Sequence, residues 1–312
     1  MRRVRYERSG GPEVLFLEEV PVPEPGPGEL LVRVEAAGVT LPVVRKVREQ
    51  RDPIALGGEI AGEVVALGEG VRGHAPGDRV TGLVFGHGYA DYALLHTAMA
   101  SPVPDGASAV DAVALVRSGL VAFGALEAAR PAPGEAALIT AAASGVGHLA
   151  VQLAKSRGAG RVVGAVSDPG KADFVRGLGA DDVITYDREG LLDQASGEGF
   201  DYVLDAVGGD LLPSAVKALA PHGRLVAYSS GGGTVAAYDL LVGAKSVIGF
   251  QMALIARGRP ELYEAWRREL WRLYGAGELR PAVHGRFALE DAALAHAAIE
   301  ERGNLGKVVL VP

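Results

Sequence analysis

Residues 136–155 read Ala136-Ala137-Leu138-Ile139-Thr140-Ala141-Ala142-Ala143-Ser144-Gly145-Val146-Gly147-His148-Leu149-Ala150-Val151-Gln152-Leu153-Ala154-Lys155. The opening run is apolar up to Thr140, the pattern of a strand buried on both faces of a parallel sheet. A turn of small residues follows. Apolar residues at 146, 149, 150, 153 and 154 then mark one face of a helix. Strand, small-residue turn and helix together form the setting of a dinucleotide fingerprint. Small side chains let the backbone approach a pyrophosphate, and the helix N-terminus offers free N–H groups. Ala142 and Ser144 stand where the first two glycines of that fingerprint would be, so the loop alone fits an ordinary βα turn equally well.

The flanking sequence favours the nucleotide reading. Strands are expected at 161–166, 183–186, 202–206, 224–228 and 247–250, with helices at 147–157, 169–178 and 211–220. Strands alternating with helices of about ten residues give a parallel, doubly wound sheet. Upstream the texture differs. Short strands are expected at 14–17, 30–34, 62–66, 79–83 and 89–95, separated by Pro- and Gly-rich turns at 21–28, 68–70 and 76–78. Many short strands with such turns indicate a barrel-like β domain. A helix is expected at 109–129, two more near 260–275 and 290–302, and a last strand at 307–311. The fold class is therefore α/β plus β, a β-rich barrel domain with an inserted doubly wound domain.

Composition narrows the chemistry. A chain of 312 residues gives a prior of about two domains. With 48% hydrophobic and 22% charged residues it has a globular composition. Thirty-one Lys and Arg against 38 Asp and Glu leave a formal charge of −7, with no global attraction for nucleic acid or anionic lipid. Cysteine is absent, which excludes disulfides, thiolate nucleophiles, iron–sulfur clusters and every Cys-containing zinc site. The N-terminus has no apolar segment of a signal peptide, and no uninterrupted apolar run approaches 18 residues. A soluble, cytoplasmic protein with no membrane or nucleic-acid partner is expected.

The tip of the second strand bears on the choice of nucleotide. An NAD site usually places an acidic residue there for the ribose 2′-OH. Here the tip is Val163-Gly164-Ala165-Val166-Ser167, with Lys171 four residues beyond Ser167. A hydroxyl and an ammonium suit a 2′-phosphate, which favours NADPH. Asp168 opposes this, since a carboxylate there would reach a ribose diol or repel the phosphate.

Further segments carry a family resemblance. They are Ala36-Ala37-Gly38-Val39, Gly57-Gly58-Glu59-Ile60-Ala61-Gly62-Glu63-Val64, Gly77-Asp78-Arg79-Val80 and Gly88-Tyr89-Ala90-Asp91-Tyr92. Downstream lie the loop and helix of 142–155, Leu178-Gly179-Ala180-Asp181, Asp205-Ala206-Val207-Gly208-Gly209 and Asn304-Leu305-Gly306-Lys307-Val308-Val309-Leu310. In this order they resemble the medium-chain dehydrogenase/reductase superfamily, in its zinc-independent, zeta-crystallin-like quinone oxidoreductase branch. The resemblance covers essentially the whole chain. It implies a GroES-like barrel domain (1–113 and 253–312) completed by the chain's tail, an inserted Rossmann domain (114–252), and an active site in the cleft between them.

The resemblance also implies cofactor contacts for NADPH. Ser144, Gly145, Val146 and Gly147 correspond to the family's nucleotide loop, and Ser167, Lys171 and Tyr186 to its 2′-phosphate ligands. Tyr228, Ser229 and Ser230 line the ribose side, Phe250 and Gln251 meet the nicotinamide carboxamide, and Asn304 matches a further NADPH contact. A homodimer joined through the strand at 247–250 is implied as well. Zinc-dependent relatives carry a catalytic Cys and a His directly before a Glu like Glu59; Gly58 stands in that His position. Many quinone reductases of the branch have Asn after Ala-Ala-Gly-Val and a Tyr about five residues on, where this chain has Thr40 and Arg45. Val121 replaces a common Thr.

Loss of zinc fits conjugated acceptors. Hydride addition to a simple ketone leaves an alkoxide that needs a Lewis acid or a strong proton donor. Addition to a quinone or enone spreads the charge into a phenolate or enolate, for which preorganised hydrogen-bond donors suffice. Thr40 is the candidate donor, with Arg45 as electrostatic helper and water as proton source. A hydroxyl that caps the following turn explains Thr40 equally. Arg45 also belongs to a basic cluster with Lys46, Arg48 and Arg51 on an expected helix, which would attract an anionic substrate. His148 is expected to pack at a helix start, His87 to sit in a turn, and Glu59 and Glu63 to partner nearby arginines. The chain is thus expected to be an NADPH-dependent reductase of quinones or related conjugated carbonyls. The rival readings are an enoyl or alkenal reductase of one metabolite and a non-catalytic NADPH-binding protein.

Overall fold

Six parallel strands realise the alternation read in residues 136–250. Their spatial order is Asp182–Thr185, Arg161–Val166, Ala136–Ile139, Phe200–Asp205, Leu219–Ala227 and Ser246–Gly249. The computed structural model describes residues 1–49, 52–186, 199–228 and 231–312. The chain winds outward from Ala136–Ile139 in one direction, then returns to its other side. The order therefore reverses between Ala136–Ile139 and Phe200–Asp205, and ligands of open α/β sheets bind outside the carboxyl ends of strands at such a point. Leu138, Val163, Val203 and Leu225 fill the sheet's core. The helix Gly147–Ser156 buries Leu149, Ala150, Leu153 and Ala154, the face read from the 3.6-residue period.

The described chain divides into two compact units, Ser118–Arg280 and Met1–Arg117 with Pro281–Pro312. The crossings lie at 117/118 and 280/281, whereas the sequence reading sets them at 113/114 and 252/253. The larger shift has a packing cause. The helix Pro260–Gly275 sets Trp266 against Phe123 and Phe250, with ring centroids 5.9 and 6.3 Å apart. Leu270 of the same helix lies so close to Gly119 that a Cβ there would meet it at 2.9 Å. These contacts hold the helix in the second unit.

The first unit is built on a sheet ordered Val283–Ala288, Lys307–Val311, Glu29–Val39, Glu59–Leu67, Arg79–Leu83 and Ala100–Pro102, with Tyr92–His96 also paired to Glu29–Val39. The tail completes this sheet: Val308 to Leu310 pair antiparallel with Val39 to Ala37. The strand expected at 14–17 is displaced. Pro12 opens a 3₁₀ turn, Pro12–Val14, and the strand is Phe16–Glu19, paired with Arg2–Arg5. Proline favours such a helical start because its missing N–H is not needed there. The helix Ala109–Ala129 is, among the described residues, the one long and apolar enough to cross a membrane; 83% of its most apolar window is buried inside the fold.

Candidate functional site

At the reversal of the second sheet, Thr140 follows Ala136–Ile139 and Asp205 ends Phe200–Asp205. The Thr140 hydroxyl donates to Asp205 Oδ1 at 2.8 Å and accepts the Ala206 N–H at 2.8 Å. Asp205 also accepts the N–H groups of Val207 at 3.1 Å and Gly208 at 2.9 Å. Both side chains are fully buried. Burial pushes the Asp205 carboxyl above the usual carboxylate range, opposed by these hydrogen bonds. The pair welds two strand ends and shapes the turn at Gly208 and Gly209, whose φ values of 66° and 58° suit glycine.

The loop expected to cradle a pyrophosphate lies beside this anchor. Ser144 Oγ accepts the Gly147 N–H at 3.0 Å, and Ser144 O accepts His148 N–H at 3.1 Å. Those contacts draw the turn onto the first turn of Gly147–Ser156. Gly147 packs so tightly that a Cβ would come within 2.1 Å of Ala141 O. The backbone N–H groups of Gly145 and Val146 find no acceptor among the described residues. Two donors with no acceptor among the described residues, at a helix N-terminus behind a turn closed to side chains, fit a pyrophosphate. His148 is fully buried with its Nδ1 2.9 Å from Ser144 O, the packing role read for it.

The second strand ends at Val166, with Ser167 exposed beyond it and Lys171 buried. Asp168 makes a local contact. Its Oδ1 accepts the Gly170 N–H at 2.8 Å and caps the short helix Pro169–Lys171. That contact occupies one carboxylate oxygen and ties Asp168 to its own turn. Tyr186 is held by its N–H to Val166 O at 3.0 Å, which brings it to the same strand end. Tyr228 follows Leu219–Ala227 and donates its N–H to Asp205 O at 3.1 Å. Its phenol is buried with no hydrogen-bond partner, and burial beside Asp205 raises its pKa. Phe250 donates its N–H to Ala227 O at 2.9 Å, and Gln251 beyond it is exposed. Ser229 and Ser230 lie outside the described residues. Val121, half-buried, belongs to this unit as well.

The remaining candidates lie in the first unit. Thr40 follows Glu29–Val39 and opens the helix Leu41–Glu49, its carbonyl accepting Val43 N–H at 3.0 Å and Val44 N–H at 3.1 Å. The hydroxyl itself makes no hydrogen bond among the described residues. The contacts at the helix start are thus made by the Thr40 backbone carbonyl. Arg45 is half-buried on the same helix. Arg48 is committed to Glu300 through hydrogen bonds of 2.8 and 2.7 Å, which weakens the basic cluster, and Arg51 lies outside the described residues. Asn304 Nδ2 donates to Gly306 O at 2.9 Å, shaping its own turn.

Glu59 departs from its expected role. Its principal partner is a lysine, Lys307, and both side chains are buried to 3% exposure. Arg117 lies farther off, its Nε 3.9 Å from Glu59 Oε2, and that oxygen accepts no hydrogen bond. Burial, together with Arg117, lowers the Lys307 pKa, while Glu59 pulls it back up. Glu63 does pair with an arginine, Arg33. His87 sits at φ 57° in a turn, as read, and burial lowers its pKa. Thr140, Asp205, Arg117 and Lys307 went unassigned in the sequence reading. Asp205 and Lys307 do lie in quoted segments, but nothing local signals which partner each takes.

Residues 26–105 match the family described as alcohol dehydrogenase GroES-like domain, and residues 145–270 the one described as zinc-binding dehydrogenase. The chain is 33% identical to a quinone oxidoreductase of Pseudomonas aeruginosa, covering all of this chain and 99% of that one. Among solved structures it is similar to Escherichia coli quinone oxidoreductase complexed with NADPH, at a TM-score of 0.91 and 28% identity over 100% of both chains. A mycobacterial protein complexed with NADPH aligns with a TM-score of 0.92 and 30% identity, again over 100% of both.

Proposed function

We propose, for a chain that belongs to the medium-chain dehydrogenase/reductase superfamily in its quinone oxidoreductase branch, that it reduces quinones or related conjugated carbonyls with NADPH. The observation that carries this reading is the closed turn at 141–147. There Gly147 admits no side chain, and the Gly145 and Val146 N–H groups have no acceptor among the described residues, at a helix N-terminus. Ser167, Lys171 and Tyr186 would hold the 2′-phosphate, with one oxygen of Asp168 tied to Gly170. Ser144 shapes the pyrophosphate turn, and Tyr228, Ser229, Ser230, Phe250, Gln251 and Asn304 complete the cofactor contacts. NADPH supplies the hydride when bound.

Thr40 donates a hydrogen bond to the acceptor oxygen as negative charge grows on it. Its hydroxyl is uncommitted, and a preorganised donor of this kind is worth about 3 kcal/mol. Arg45 adds a positive potential at the same helix. A quinone or enone disperses the charge it receives, so the chemistry needs no metal-bound oxygen. The sequence supplies no cysteine with which to build the family's Cys-containing zinc sites.

We further read the protein as a soluble, cytoplasmic homodimer. The strand Ser246–Gly249 ends its sheet with one edge unpaired. Around it Tyr238, Leu241, Val242, Val247 and Leu254 are exposed. An open edge flanked by apolar side chains favours pairing with a second copy.

Titration with NADPH and NADH, followed by tryptophan and tyrosine fluorescence, tests the reading together with absorbance at 340 nm after addition of 1,4-benzoquinone, 9,10-phenanthrenequinone or a short enal. Preferential NADPH binding with quinone-dependent oxidation is expected. Binding without turnover of any acceptor would overturn the enzymatic reading, and failure to bind either nucleotide would overturn the cofactor site as well.

A further inference from the structure

The first unit buries two charges beneath the chain segment that ends in Thr40 and holds a third, the partly exposed Arg117, beside them. Glu59 and Lys307 meet in its interior, and Arg117 stands 3.9 Å from the carboxylate oxygen that accepts no hydrogen bond. Gly38 lies directly over the pair: a Cβ there would fall 2.1 Å from Glu59 Oε1. Two residues further along is Thr40, and next to Glu59 is Gly58, whose Cβ position has no neighbour nearer than 4.0 Å.

This cluster is a poor device for stability alone. Removing two charges from water costs more than a buried pair usually returns, and apolar replacements are often neutral or stabilising. Arg117 does not approach Glu59 closely enough for the 2.7–2.9 Å geometry of a strong charge-assisted bond. With Glu59 and Lys307 countering one another, Arg117 is the cation left over, its side chain 28% exposed. Tyr89, whose phenol is buried and raised in pKa by burial and by Glu59, stays neutral. His296, packed edge-on against the Tyr89 ring at 5.8 Å, stays neutral as well. Charge effects inside a low-dielectric interior reach farther than in water.

We propose that Glu59, Lys307 and Arg117 form an electrostatic backing for the acceptor site, their single excess positive charge stabilising the negative charge that grows on the acceptor oxygen. This rests on the reading that Thr40 binds that oxygen. Arg117, Lys307 and Glu59 are positioning and field-setting residues; none touches the acceptor.

The test compares kcat, KM, NADPH Kd and Tm for the intact chain and the variants Arg117→Met, Arg117→Lys and Glu59→Gln/Lys307→Met, with 1,4-benzoquinone as acceptor. Arg117→Met should lower kcat about tenfold, with KM and NADPH Kd within about twofold. Arg117→Lys keeps the charge and should restore most of kcat. The double variant removes one charge of each sign and should stay within about threefold of the parent. A kcat for Arg117→Met within about threefold of an active parent would overturn the proposal. So would losses that track Tm across the variants, whichever charge is present. A parent that binds NADPH but reduces no acceptor would overturn the acceptor reading, and this inference with it.

Discussion

Thr140 and Asp205 end neighbouring parallel strands and are joined by a 2.8 Å hydrogen bond from the Thr140 hydroxyl to Asp205 Oδ1. The same hydroxyl accepts the Ala206 N–H. Replacement of Thr140 by Val leaves that N–H and part of the carboxylate without partners. Each buried orphan costs about 1–3 kcal/mol, so chemical denaturation should show a loss of about 2–4 kcal/mol. NADPH should also bind more weakly, because the 206–209 turn loses its tether. Thr140→Ser, which keeps the hydroxyl, should restore most of both.

Discrimination between the two nicotinamide cofactors should reside in Lys171 and Ser167. Hydrogen bonds to a charged group are worth about 1.5–3 kcal/mol, so Lys171→Ala should raise the NADPH Kd about 10- to 100-fold. The NADH Kd should be nearly unchanged. An equal loss for both cofactors, measured by fluorescence titration, would remove Lys171 from the 2′-phosphate site.

Thr40→Val deletes the unclaimed hydroxyl while keeping a β-branched side chain. Steady-state kinetics should show kcat/KM for quinones falling by about tenfold or more, with NADPH affinity preserved. A fall of less than about threefold would leave the hydroxyl with no part in the reaction.

His296 sets a pH window for stability. Burial holds its pKa at about 4 in the folded chain, against an ordinary 6.5. Between those values the unfolded state binds the additional proton, so stability falls as pH drops from about 6.5 toward 4. At pH 5 this group should have cost about 2 kcal/mol. Denaturation of His296→Leu should therefore lose less stability than the parent between pH 7 and pH 5, by about that amount.

Assembly is tested at the open sheet edge. The double variant Leu241→Glu/Val247→Lys places charges beside the unpaired side of Ser246–Gly249. Sedimentation should show the parent as a dimer and this variant as a monomer. A monomeric parent would leave the apolar edge without the proposed occupant.

The features legible in the sequence share a physical trait: each is encoded within one turn or one element. The buried face of Gly147–Ser156 follows from helical period, and the parallel sheet from alternation of apolar runs. Gly147 could be read because a tight turn demands it locally. Side-chain partnerships could not be read in this way. A carboxylate such as Asp168 can face a ribose or cap its own turn, and spacing does not reveal that its Oδ1 accepts the Gly170 N–H. Glu59 was assigned an arginine, but the fold brings it Lys307 across 248 residues. The contacts of Trp266 and Leu270 that keep Pro260–Gly275 with the second unit are tertiary in the same way.

The interrupted path of the chain has a consequence for its biosynthesis. Emerging from the ribosome, Ser118–Arg280 has every strand of its own sheet available before Pro281 is added. The first unit must wait. Until Lys307–Val311 has been made, Glu29–Val39 lacks a neighbour and Glu59 lacks its cation. The closing strand and the countercharge arrive together. Completion of the first unit thus waits on the strand Lys307–Val311, and loss of that strand alone would leave a finished nucleotide-binding unit attached to an unfinished partner.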